Sequence, residues 1–167
     1  MKPALLIVSV LGAALCLTQL LWTPKTRFVW NRTSSAPIGL YEVMDGPYAH
    51  GQWVLVSSEN RAARWAETYG LIGSDWPLIK QIAGLPGDEI CRHETIISIN
   101  GAPVAEALLE TSSDLNMPAW QGCFELQDGE VFLLNAHPRS LDGRYFGQTK
   151  LEDLEGVVTH ISPWRDE

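Results

Sequence analysis

The sequence predicts a mainly β domain carried behind one apolar helix at the amino terminus. Three observations predict it. Ten prolines and fourteen glycines are spread between short apolar runs, the punctuation of a turn-rich β protein. The dipeptide Asn100-Gly101 lies between two such runs, a strong hairpin signal. Residues 4–22 carry no charge and only Ser9, Thr18 and Gln19 as polar interruptions.

Composition narrows the function classes. A chain of 167 residues suits one modest domain plus an appendage. With 46% hydrophobic and 19% charged residues it can build a core and is not a disordered chain. The net charge of −8, with no basic block, argues against nucleic-acid binding, which depends on neutralising phosphates.

The elements follow in chain order. As a helix, residues 4–22 would span about 28 Å, close to the hydrocarbon thickness of a bilayer. Trp22, Phe28 and Trp30 suit the aromatic belt where such a helix leaves the membrane. A cleaved secretory signal is the competing reading, but Thr23-Pro24-Lys25 lacks a small-x-small cleavage pattern. The expected organisation is a membrane anchor over 1–23, a linker over 24–30 and a folded domain over 31–167, with membrane lipid as a partner. Basic residues lie on both sides of the apolar run (Lys2 before it, Lys25, Arg27 and Arg32 after it), so charge does not set its orientation. Cys16 falls inside the anchor. Cys91 and Cys123 are left as a possible disulfide or as two free buried thiols.

Residues 37–43 and 52–56 read as strands around the turn residues Asp45-Gly46-Pro47 and Gly51. Ser58 is placed to cap a helix over 59–69 that Gly70 stops, with Ala62, Trp65, Ala66 and Tyr69 on its docking face. Residues 76–83 form an apolar strand that ends in Leu85-Pro86-Gly87-Asp88, whose Pro-Gly order suits a type II turn. The hairpin of residues 96–104, an irregular excursion over 106–120 and an apolar strand over 131–134 complete the β-rich remainder.

One residue in this pattern carries chemistry. Lys80 shares a strand face with Leu78 and Ile82, because side chains alternate along a strand. Loss of hydration there favours the neutral amine, and a neutral amine is a general base near physiological pH if a nucleophile lies in reach. The bland reading is a lysine that snorkels from a strand end. Upstream, Ser34 and Ser35 offer hydroxyls in a turn-like segment just beyond the anchor. The histidines His50, His93, His137 and His160 are scattered without helical metal-ligand spacing. No phosphate loop, dinucleotide fingerprint or Gly-x-Ser-x-Gly elbow occurs, so neither metal nor cofactor is expected.

Three blocks in order resemble the type I signal peptidase family (peptidase S26), and most closely its conjugal-transfer branch, the TraF-type pilin maturation peptidases. They are Asn31-Arg32-Thr33-Ser34-Ser35-Ala36-Pro37-Ile38-Gly39-Leu40-Tyr41, Ile79-Lys80-Gln81-Ile82-Ala83-Gly84-Leu85-Pro86-Gly87-Asp88 and Ser140-Leu141-Asp142-Gly143-Arg144-Tyr145-Phe146-Gly147. In this branch the reactive serine stands two residues before proline, which implies Ser35 rather than Ser34 as nucleophile. Lys80 matches the general base. Thr33 matches a hydroxyl that lines the oxyanion hole beside the Ser35 N–H. Ser140 would hydrogen-bond the amine, with Asp142 and Arg144 as an ion pair beneath the site. Gly143 stands where serine is usual, and glycine would loosen the backbone there. The branch commonly has cysteines flanking the central β region, which implies a Cys91–Cys123 bridge.

The resemblance implies the signal-peptidase antiparallel β fold with one or two short helices. It implies a serine endopeptidase on the periplasmic side of a bacterial inner membrane. Its partners would be a precursor protein, a pro-pilin or another signal-peptide-bearing chain, and components of a transfer or secretion complex. The acyl-enzyme could pass to water or to the substrate's own amine, giving a cyclic product. A general leader peptidase, a catalytically silent scaffold and a Ser-His-Asp arrangement through His137 are the competing readings. The sharpest expectation is geometric: the Lys80 amine touches the Ser35 oxygen in a dry niche. Asn31-Arg32-Thr33 also fits a glycosylation acceptor, a pattern common by chance.

Overall fold

The computed structural model describes residues 7, 10–12, 25–110 and 115–161. The expected anchor falls mostly outside the described residues, and among those described no helix is long and apolar enough to cross a membrane.

Among the described residues eleven strands make two antiparallel sheets. The larger contains β1 (Phe28–Asn31), β2 (Gly39–Met44), β3 (Trp53–Val56), β4 (Leu78–Gly84), β9 (Glu130–Leu133), β10 (Thr149–Lys150) and β11 (Leu154–Ile161), in the order β1-β2-β11-β3-β4-β9-β10. The smaller contains β5 (Glu89–His93), β6 (Ile96–Ile99), β7 (Ala102–Glu106) and β8 (Gly122–Glu125), in the order β7-β6-β5-β8. Within residues 25–161 the α-helices described are α1 (Arg61–Thr68) and α2 (Gly143–Phe146).

Alternation along the strands divides the large sheet into two packed faces. Val54, Val56, Leu78 and Ile82 pack with Ala62 and Ala63 of α1, while Leu55, Ile79, Tyr41 and Val158 form a second cluster. The turns follow their residues. Gly87 takes φ +90° and the Asp88 N–H donates to the Leu85 carbonyl at 3.0 Å, as a type II turn requires. Asn100 and Gly101 both hold positive φ, the demand of a two-residue hairpin loop.

Two expectations change. Residues 28–30 were assigned to a linker, yet β1 pairs in full with β2, from Phe28 opposite Glu42 to Asn31 opposite Gly39. Its Val29 packs into the second cluster. Helix α1 begins later than expected, because Asn60 rather than Ser58 caps it, accepting from the Ala62 N–H at 2.9 Å. Its buried residues are Ala62, Ala63 and Ala66, whereas Tyr69 remains exposed beside Trp65.

Candidate active site

The first block folds as the loop between β1 and β2, and Asn31 organises it. Its side chain is buried; Nδ2 donates to the carbonyls of Thr33, Ala36 and Pro37 at 2.9–3.0 Å. Its Oδ1 accepts from both the N–H and the hydroxyl of Thr33, at 3.1 and 3.0 Å. With its amide committed in this way, Asn31 is not an open glycosylation acceptor. Tyr41 ties the far end through its hydroxyl to the Pro37 carbonyl at 2.8 Å, and burial pushes that phenol up to about 12. Ser34 is exposed and Ser35 half-buried.

Lys80 lies in β4 opposite Val54, only 4% exposed. Its Nζ donates to Ser140 Oγ at 3.0 Å. Burial lowers its pKa from 10.5 to about 8; Asp142 opposes that shift and Arg144 adds to it. The burial expected from its place between Leu78 and Ile82 is present, and those two side chains belong to the larger apolar cluster.

Beneath the amine, Asp142 and Arg144 form a buried ion pair, with Nε to Oδ1 at 2.8 Å and Nη2 to Oδ2 at 3.2 Å. The guanidinium also donates to the carbonyls of Pro138 and Asn135 at 3.1 and 2.6 Å, so each of its three nitrogens has a hydrogen-bond partner. Gly143 does not loosen this segment. A Cβ there would stand 2.6 Å from the Phe132 ring and 2.8 Å from the Leu133 carbonyl oxygen, so the packing demands glycine.

Two cavities open on either side of Ser35, of about 490 and 380 Å³, and both are lined by Thr33, Ser35 and Lys80. The first runs between β1 and β4 past Trp30, Trp76 and Ile79; the second passes Leu108, Ser140 and Tyr145. Nucleophile and base candidates therefore face one space, but no hydrogen bond joins them. Ser35 Oγ instead lies 3.1 Å from Thr33 Oγ1. The single proton of the Thr33 hydroxyl goes to Asn31, so Ser35 is the donor in that contact. The expected contact between the Ser35 oxygen and the amine is absent for this reason: the loop holds the hydroxyl along itself rather than across the cavity. The same network turns the Thr33 proton away from the cavity.

Cys91 and Cys123, opposite each other on β5 and β8, are joined in a disulfide. His137 lines the second cavity, and the buried carboxylate of Asp142 pairs with Arg144.

Sequence reasoning missed three residues. Asn31 was visible only as the first letter of its block. Arg92 is buried in β5 and donates to the Arg144 carbonyl at 2.6 Å, tying the small sheet to α2. Asn135 follows the apolar strand β9 and carries no sequence signal, yet its side chain reaches Ser35, Ile79 and Gln81.

The family described as "Signal peptidase, peptidase S26" matches residues 1–164. Signal peptidase I V of Bacillus subtilis (strain 168) is 23% identical over 131 residues, covering 70% of this chain and 78% of that protein. A crystal structure of a signal peptidase I from Enterococcus faecalis V583 aligns with a TM-score of 0.41 and 22% identity, over 70% of this chain and 100% of the other.

Proposed function

Because this chain belongs to the signal peptidase family, peptidase S26, we propose that it cleaves secreted precursors with Ser35 as nucleophile and Lys80 as general base. One observation carries the assignment of the pair. Lys80 is a buried amine with a pKa lowered to about 8, and it lines the same two cavities as the only half-buried hydroxyl of the Thr33–Ser35 loop.

The reaction begins when Ser35 turns from Thr33 toward the amine. Neutral Lys80 takes the hydroxyl proton as Oγ bonds to the scissile carbonyl carbon. The electron pair displaced onto the carbonyl oxygen is met by the Ser35 N–H and by the Thr33 hydroxyl, once that proton leaves Asn31. The ammonium then protonates the departing amine, leaving an acyl-enzyme. A water gives its proton to Lys80 as it attacks the ester carbonyl, and the ammonium returns that proton to Oγ as the bond to Ser35 breaks. Ser140 aims the amine throughout, and the Asp142–Arg144 pair supports the segment that carries it.

The substrate in this reading is a pro-pilin for conjugative transfer, bound as an extended strand between β1 and β4. An amine of the same substrate replaces water when the product is cyclic. The domain works on the periplasmic face of a bacterial inner membrane, held by residues 1–23. The uncharged run of residues 4–22 and the Cys91–Cys123 disulfide, which suits an oxidising compartment, support that location.

The test incubates membranes bearing wild type or Ser35→Ala with candidate precursors and reads product masses. Cleavage by wild type alone is expected, and a product one water lighter than the linear chain marks cyclisation. Undiminished cleavage by Ser35→Ala overturns the assignment.

A further inference from the structure

Ser35 and Lys80 belong to elements that no strand ladder joins. In the large sheet β11 and β3 separate β2, which follows the Ser35 loop, from β4, which carries the lysine. The two side chains make no bond to each other, so the spacing between them must be held by something else.

Asn135 spans that gap. It is 1% exposed, at the end of β9. One Nδ2 proton goes to the carbonyl of Ser35 at 2.8 Å, across 100 residues of sequence. The other goes to the carbonyl of Ile79 at 3.2 Å, and Oδ1 accepts from the Gln81 N–H at 2.9 Å. The amide thus grips the peptide groups on both sides of Lys80 and the peptide of Ser35 at once. Its orientation is dictated by its partners, two carbonyls facing the NH₂ and one N–H facing the oxygen. The Asn135 backbone engages the ion pair as well: its N–H donates to Asp142 Oδ2 at 3.1 Å and its carbonyl accepts from Arg144 Nη2.

We propose that Asn135 is a positioning residue that sets the distance between the nucleophile peptide and the base strand. The proposal rests on the Ser35–Lys80 reading above. A side chain of the same shape but without the two donors would leave two carbonyls facing an acceptor and push the loop from the strand. A displacement of about 1 Å at a reacting centre costs about 100-fold in rate.

The test uses the full chain in membranes, with Asn135→Asp as the isosteric variant and Asn135→Ser as one that adds no charge. Three readouts are taken: cleavage kinetics of a peptide substrate, acylation of Ser35 by a fluorophosphonate probe, and the thermal midpoint. For both variants kcat and probe acylation are expected to fall together, by about 10- to 100-fold, with KM unchanged. For Asn135→Asp alone, the acidic limb of the kcat profile should also move to higher pH, because an added carboxylate stabilises the ammonium. The charged groups already facing Lys80 are Asp142 and Arg144, with Arg32, Asp75 and Glu155 on the wall of one cavity and Glu110, His137 and Arg139 on the other. These are common to wild type and variants. Wild-type acylation in a folded variant, or a rise in KM with kcat unchanged, overturns the proposal. Loss of fold in both variants does so too, because it makes Asn135 a stability residue. Ser35→Ala separates the two readings. Cleavage by that variant defeats the catalytic assignment itself, whereas an inactive Ser35→Ala beside a fully active Asn135→Asp defeats only the role of Asn135.

Discussion

Lys80 Nζ donates to Ser140 Oγ at 3.0 Å, and the lysine is only 4% exposed. The contact fixes the direction of an amine that burial has already made easier to deprotonate. Five predictions follow from this niche and from what supports it.

Lys80→Arg should abolish cleavage while leaving the thermal midpoint within a few degrees. A guanidinium keeps its proton and cannot accept one from Ser35. General-base catalysis contributes about 100- to 10,000-fold, so kcat should fall by at least that range. Peptide cleavage assayed across pH 6–10 checks it, and retained activity removes lysine as the base.

The pH dependence has a definite sign. The amine is active when neutral, so kcat/KM should rise through about pH 8 and level above it. For stability, the folded pKa of about 8 lies below the ordinary 10.5, so between these values the unfolded chain holds a proton that the native chain lacks. Wild-type stability contributed by this group therefore rises with pH across that window, and below pH 8 the burial costs its full amount, about 3 kcal/mol. Lys80→Met should be the more stable protein at pH 7, with the difference narrowing as pH approaches 10.5. Denaturant titrations at several pH values would show a constant difference if the amine is not desolvated.

Asp142→Asn leaves the Arg144 guanidinium buried without its counter-charge. A loss of about 3–5 kcal/mol is expected. The carboxylate also opposes the lowering of the Lys80 pKa. Without it the acidic limb of kcat/KM should move to lower pH. A shift the other way would show that the carboxylate does not act on the lysine.

Gly143→Ala should destabilise by about 1–3 kcal/mol, since the new methyl group meets the Phe132 ring and the Leu133 carbonyl. Serine, with the same Cβ, should do no better. Unchanged thermal midpoints in both variants would contradict the packing described.

The Cys91–Cys123 bridge closes a loop of 32 residues, and its removal should cost about 2–4 kcal/mol. Thermal unfolding with and without a reductant, beside the Cys91→Ser/Cys123→Ser double variant, measures it. Equal midpoints in all three would mean that the bridge contributes nothing.

Much of the architecture was legible because it is locally encoded. Positive φ at Asn100, Gly101 and Gly87 is a demand that few residues meet, so their turns could be read directly. The start of α1 was misread because Ser58 and Asn60 are both good caps, and what favours Asn60 is distant: its side chain also donates to Asp153 at 2.9 Å. Strand β1 was missed for a similar reason, since exposed aromatic residues at 28 and 30 look like a membrane belt until β2 lies beside them.

The chemistry on offer is written locally along the chain. A lysine between aliphatic strand neighbours, a hydroxyl-rich turn before proline and an Asp-Gly-Arg segment are local facts, and strand alternation already told which face the lysine shares. How these parts meet depends on contacts between distant segments. Ser35 rests on Thr33 because Asn31 takes the threonine's proton, and the loop is moored to β4 by Asn135 from a hundred residues away. The physical reason is that a buried amide must satisfy every donor and acceptor it carries. Which groups stand near enough to do so is set by how the sheets pack, not by neighbours along the chain.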